Sequence, residues 1–187
     1  MSYERHNIKS VSKDLQKFVI NTPVLRFDII DSLCNCNVFF KCENFQHTGS
    51  FKYRAAINAI KNMPVEFKQT GVITHSSGNF AHALARAAYE LKIPCHIVMP
   101  DNTPNFKKSS VLSYTKNVIE CESNLKAREF TTSEILKNKN LYFIHPSNNM
   151  DVILGNSSCA LEFVNDYPNL DFIFSPIGGG GLIAGSS

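Results

Sequence analysis

The sequence holds no apolar run approaching the roughly 20 residues of a membrane-spanning helix, so a function inside a bilayer is set aside. Its opening stretch, MSYERHNIKSVSKDLQKF, has no apolar core of a secretory leader, which makes the cytoplasm the expected compartment. No Lys/Arg tract occurs and the net charge is only +3, which argues against nucleic acid as a partner. Of the six cysteines, Cys34-Asn35-Cys36 lacks the second ligand pair that a zinc pattern needs, so no metal site is expected. Cys95 and Cys121 fall inside apolar, strand-like runs, where cysteine acts as a small buried hydrophobe. Without a leader, free thiols in a reducing compartment are the simpler reading. No repeat, low-complexity tract or obvious linker breaks the chain.

What is there describes a globular α/β chain. With 43% hydrophobic and 19% charged residues over 187 positions, it can bury a real core. Ile8, Val11, Leu15, Phe18 and Val19 recur near helical spacing and predict an amphipathic helix at the start. Short apolar runs at 37–43, 71–75, 94–100, 117–122, 141–146 and 171–177 predict strands. Helical patterns at about 52–62, 79–92, 104–114, 124–138 and 150–166 alternate with them. Strands that are apolar on both faces belong in a parallel sheet covered by helices, an open doubly wound architecture. Ligands in such sheets collect where strand ends lead into helix starts.

Three loops fall at those places. In Thr48–Ala56, TGSFKYRAA, two cations, Lys52 and Arg54, stand where a helix begins, with Ser50 as the expected N-cap. Cations in a first turn oppose the macrodipole, but a lysine wanted as a nucleophile or base gains from a setting that lowers its pKa. An ordinary surface lysine is the competing reading. Ser76-Ser77-Gly78-Asn79 opens the next helix with hydroxyls, an amide and free N–H groups suited to a carboxylate; a simple cap would account for only one of them. Gly178-Gly179-Gly180-Gly181 can turn tightly and aim several N–H groups at one anion. Its alternatives are a flexible turn or a dinucleotide loop, although GGGGLIAG lacks the third glycine of GxGxxG.

Taken together, KCENFQHTGSFKYRAA, THSSGN and SPIGGGG resemble the signatures of fold-type II pyridoxal phosphate enzymes, and within them the serine racemase and serine/threonine dehydratase family. The resemblance runs in order through residues 15–185. It implies pyridoxal 5'-phosphate as cofactor and an amino acid as substrate, with Lys52 forming the Schiff base and Phe51 beside the ring. Asn79 would bond the pyridine 3-hydroxyl, and Gly178, Gly179, Gly180 and Gly181, with Leu182, would hold the phosphate. Ser147 joins the cofactor set where serine racemases carry Asn after His-Pro. Ser76, Ser77, Asn79 and Phe80 would receive the substrate carboxylate. Lys52 would remove the α-proton; Ser77 would return one from the opposite face in a racemase. Arg54 is read as supporting the loop.

The pattern also departs from the family. Phe80, Ala81 and His82 replace the usual His-Gly/Ala-Gln, Gly155-Asn156-Ser157-Ser158 replaces GQGT, and Tyr114-Thr115-Lys116 replaces Tyr-Gly-Ala. By resemblance a nucleotide effector such as ATP would sit near Thr48, His82 and Tyr114. The Mg or Ca ligands of the family would lie outside this chain, whose end falls six residues after the tetraglycine. The expected division is a large cofactor domain from 1–65 and 149–187, cut short, and a small domain from 66–148, in a homodimer. Two alternatives stand beside the enzyme: a noncatalytic paralogue that keeps a cofactor or amino-acid pocket, and an unrelated nucleotide-binding α/β domain.

Overall fold

The computed structural model describes residues 8–187. Residues 1–7, part of the stretch read for a leader and of the range 1–65, lie outside the described residues. The first helix, α1 (Ile8–Leu15), buries Ser12 and Leu15, and the chain turns out of it at Phe18 and Val19, which pack half-buried on the same core. A short antiparallel pair follows, β1 (Val24–Leu25) against β2 (Phe40–Lys41), bridged by α2 (Asp28–Cys34). The run at 37–43 therefore contributes two strand residues, and to an antiparallel pair. Beyond Lys41 the chain is pulled into two 3-10 turns, Glu43–Phe45 and His47–Gly49, because Glu43 is committed to Arg54 and Thr22.

The main sheet is built from β3 (Val72–His75), β4 (Cys95–Pro100), β5 (Asn117–Cys121) and β6 (Tyr142–Phe143), all parallel in the order β5-β4-β3-β6. Helices α5 (Asn79–Glu90), α6 (Asn105–Leu112) and α7 (Leu125–Asn138) make the crossovers. Strand alternation divides the side chains between two faces. Val72, Cys95, Ile97 and Met99 join the alanines of α5, while Ile73, Val98 and Leu141 join Ile135 and Leu136 of α7. Both faces are covered, as the doubly apolar runs predict. Cys95 is buried among them, and its thiol is pushed up to about 12 by that burial.

Two further helices lock the first half of the chain to the last. Helix α3 (Lys52–Asn62), which the short α4 (Phe67–Thr70) follows in the chain, is buried from Tyr53 to Ile60 and lies against α5 and α8 (Met150–Asp166). Gly155 makes the α3–α8 contact possible: a Cβ there would fall 2.5 Å from the Arg54 carbonyl oxygen. The chain ends in α9 (Gly181–Ser186), packed on α8. Residues 171–177, expected as a strand, form none, and Phe172 and Phe174 stand 79% and 94% exposed. Strand structure requires a hydrogen-bonded neighbour, and no described segment pairs with this one. Among the described residues no helix is long and apolar enough to cross a membrane.

Candidate active site

The sheet reverses direction in its connections at β3: β4 lies on one side, and β6 arrives on the other after the α7 crossover. The carboxyl ends of β3 and β6 therefore flank a switch-point crevice; Lys52, Phe51 and Phe80 meet beside it, and Ser147 meets the glycine turn. Lys52 opens α3, and its Nζ donates to the Pro146 carbonyl at 2.9 Å, just beyond β6. The same nitrogen lies 5.1 Å from the Phe51 ring centroid and 5.7 Å from that of Phe80. Burial lowers the lysine pKa below its ordinary value. The direction is the one expected from the sequence, but desolvation is its cause, not a neighbouring cation. Ser50 is not a working cap: its buried Oγ has no partner among the described residues, and the cap position of the helix falls on Phe51.

The approach to Lys52 is rigidly held. Thr48 and Gly49 both have left-handed backbones, at φ +61° and +70°, and a β-branched residue there is strained. Arg54, fully buried, offsets that strain by donating to Glu43 through Nε and Nη2, to Glu162 through Nη1 and Nη2, and to the Ile20 carbonyl. Lys41 adds a contact to Glu162 at 2.9 Å. Arg54 is thus a structural tie between α3, the 3-10 turns and α8.

Across the crevice, Ser147 meets the glycine turn. A Cβ on Gly179 would fall 2.3 Å from Ser147 Oγ, and one on Gly181 would fall 3.0 Å from Ser147 O and 3.4 Å from Asn156 Nδ2. Gly180 has φ +81°, whereas Gly178 has open space around it. Leu182 lies in α9, half-buried. Asn156 is wholly buried with neither amide atom partnered among the described residues, and its role was missed in the sequence. The signal available was its place in the segment that replaces GQGT. His145 also escaped notice; its Nδ1 accepts from the backbone N–H groups of Ser147 and Asn148.

The Ser76–Phe80 loop leaves β3 on the other wall. Ser76 is buried and its Oγ accepts from Gly78 N at 3.3 Å; Asn79, exposed, starts α5; Phe80 is buried beside the Lys52 amine. Ser77 faces a cavity of about 380 Å³ that it shares with Thr103, Lys107, Asn124 and Arg128 at the ends of β4 and β5. Thr103 Oγ1 and Arg128 Nε are buried without partners among the described residues. Neither residue stood out in the sequence, since a single Arg or Thr carries no pattern. Of the residues expected near a nucleotide effector, His82 and Tyr114 pack with ring centroids 5.7 Å apart, beside Tyr89, while Thr48 occupies the strained turn before α3.

Residues 15–187 match the model of the family described as pyridoxal-phosphate dependent enzyme. The chain belongs to that family. It is 39% identical over 180 residues to a serine racemase of Dictyostelium discoideum, covering 96% of this chain and 56% of the relative. It is 40% identical over 172 residues to a beta-hydroxyaspartate dehydratase of Paracoccus denitrificans (strain Pd 1222), covering 92% and 55%. The solved structure of maize serine racemase superimposes with a TM-score of 0.92 at 38% identity, over 95% of this chain and 54% of that one. The chain thus spans about half the length of the relatives it matches. Its parallel sheet and crossovers are those of a fold-type II member of the family.

Proposed function

We propose that this chain carries the cofactor pocket of a pyridoxal-phosphate-dependent serine racemase or serine/threonine dehydratase. The observation that carries the reading is the half-buried Lys52 amine, desolvated between Phe51 and Phe80 and held on Pro146, next to the serine that touches the glycine turn. The residues fit the cofactor. Gly179 leaves a backbone cradle that any Cβ would fill, and Asn156 offers a buried amide with unmet hydrogen-bonding capacity beside it. Lys52 would hold the cofactor covalently, with Phe51 against its ring and Asn79 at the ring hydroxyl. Gly178 to Gly181, Leu182, Ser147 and Asn156 would surround its phosphate.

When bound, pyridoxal phosphate supplies an electron-withdrawing ring that spreads the negative charge left on a deprotonated α-carbon. The chain's own groups do the rest. Ser76, Ser77 and the Phe80 backbone receive the substrate carboxylate. Lys52 Nζ takes the α-proton, and its lowered pKa keeps more of the amine neutral for that task. Racemisation returns a proton from Ser77 on the opposite face. Dehydration instead expels the β-hydroxyl with a proton as water, and hydrolysis leaves a 2-oxo acid and ammonia.

Several companions of this reading rest on family likeness: division at 66–148, a homodimer, a cytoplasmic setting and Mg or Ca as effectors. ATP near Thr48, His82 and Tyr114 has the added support of the aromatic stack. The test is a visible spectrum of the chain with pyridoxal phosphate beside Lys52→Ala. A cofactor band that depends on Lys52, followed by turnover of L-serine, is expected. A folded chain without the band would leave the noncatalytic paralogue.

The cavity beside Ser77 favours a second substrate class. Arg128 and Lys107 line it, and the Arg128 Nε, without a partner among the described residues, suits a second carboxylate, as on a β-hydroxy dicarboxylic amino acid. Arg128→Leu should then raise KM for β-hydroxyaspartate about 10–100-fold, the worth of a hydrogen bond to a charged group, and move KM for serine far less. Equal effects on both substrates would remove this reading.

A further inference from the structure

His145 stands where β6 gives way to the loop bearing Pro146 and Ser147. Its Nδ1 accepts two backbone hydrogen bonds, from Ser147 N–H at 3.1 Å and Asn148 N–H at 2.8 Å. A ring nitrogen that accepts carries no proton, so the imidazole is neutral with its hydrogen on Nε2. Gathering the N–H groups of the second and third following residues on one side-chain acceptor is the usual work of Asp, Asn or Ser in turns. Here a titratable ring does it. The backbone so folded presents the Pro146 carbonyl to Lys52 and sets Ser147 against Gly179 and Gly181.

We propose that neutral His145 is a positioning residue for the cofactor pocket: its Nδ1 folds the loop that orients the Lys52 amine and underlies the glycine turn, and protonation of the ring releases both. The proposal rests on the pocket reading given above. The groups facing the ring are Lys52 from α3, Glu129 from α7, His75 from β3 with its ring edge-on at 5.6 Å, and Phe143 from β6. Burial, ahead of the opposing influences of Glu129 and Lys52, holds His145 below the usual histidine value of 6.5. A depressed value means that the accepting form is present above it and lost as pH falls through it. The pocket therefore loosens on the acid side of pH 6.5.

Asparagine and glutamine separate this role from mere bulk. Asn Oδ1 stands as far along the side chain as His Nδ1 and can accept the same two N–H groups, whereas Gln Oε1 stands in the place of Nε2. The experiment follows pyridoxal phosphate uptake by equilibrium dialysis from pH 8 to 5 for wild type, H145N and H145Q. In parallel, nitrogen NMR of the cofactor-free chain follows the His145 ring and the Ser147 and Asn148 amides. At pH 7.5 H145N should bind as wild type does, and H145Q about tenfold more weakly, the loss of one or two backbone hydrogen bonds. Wild-type binding should fall about tenfold more than that of H145N towards pH 5, with the two amides shifting alongside the ring. Equal binding by H145N and H145Q, identical pH profiles of wild type and H145N, or a protonated Nδ1 at pH 7.5 would overturn the proposal. If the wild-type chain takes up no cofactor at any pH, the pocket reading falls instead, and the NMR titration alone decides the turn.

Discussion

Asn156 is a buried amide that donates to and accepts from nothing among the described residues. Such a group costs about 1–3 kcal/mol through lost hydration, so a partner from outside the described residues, such as the proposed cofactor, would account for its place beside the glycine turn. Asn156→Ala should leave the melting temperature of the cofactor-free chain nearly unchanged, since relief of the orphaned dipoles offsets the small cavity. The gain in melting temperature on adding pyridoxal phosphate should shrink, by about 1 kcal/mol in binding. An undiminished gain in the variant would show that the amide serves no ligand. Single residues were also where the sequence was least legible. Lys52 stood out through its helix-start setting, yet its desolvation depends on Phe80 and Pro146, which are distant in the chain. His145 and Asn156 gain meaning only from neighbours that folding brings to them.

Between α3 and α8 the backbones meet with no room for a side chain. Gly155→Ala would set a Cβ 2.7 Å from the Ala55 Cα as well as against the Arg54 carbonyl, both backbone and unable to swing aside. The expected loss is about 1–3 kcal/mol, read as a lower urea midpoint at unchanged slope. Gly178→Ala, with open space and no positive φ, should stay within about 0.5 kcal/mol; comparable losses in the two variants would discredit the packing argument. Elements were well legible where local pattern suffices. Helices α3 and α8 run over the expected residues, and β3, β4 and β5 differ from expectation by a residue or two at an end. The pattern failed where a strand depends on its partner. Among the described residues the 37–43 run met only β1, and 171–177 met no neighbour.

At the scale of the whole molecule, the strand order β5-β4-β3-β6 brings the site together by bending the last crossover back past β3. The doubly wound class was legible because both sheet faces are written into the apolar runs. The crevice was legible in part: the Ser76 loop follows β3 as expected, whereas the runs before Lys52 and before the tetraglycine supply no strand of the parallel sheet. Which loops touch was not, since order in the sequence does not reveal adjacency across a sheet. That adjacency has a consequence in time. The bond from Lys52 to Pro146 spans 94 residues, with the whole parallel sheet between its ends. At a synthesis rate of about 5–20 residues per second, Lys52 leaves the ribosome roughly 5–20 s before the carbonyl that will hold it. Until then its amine is hydrated and fully basic, an ordinary lysine. The chemistry proposed for it would be switched on late, when β6 docks beside β3, so a chain able to capture an aldehyde at Lys52 would be one that has already finished assembling its sheet.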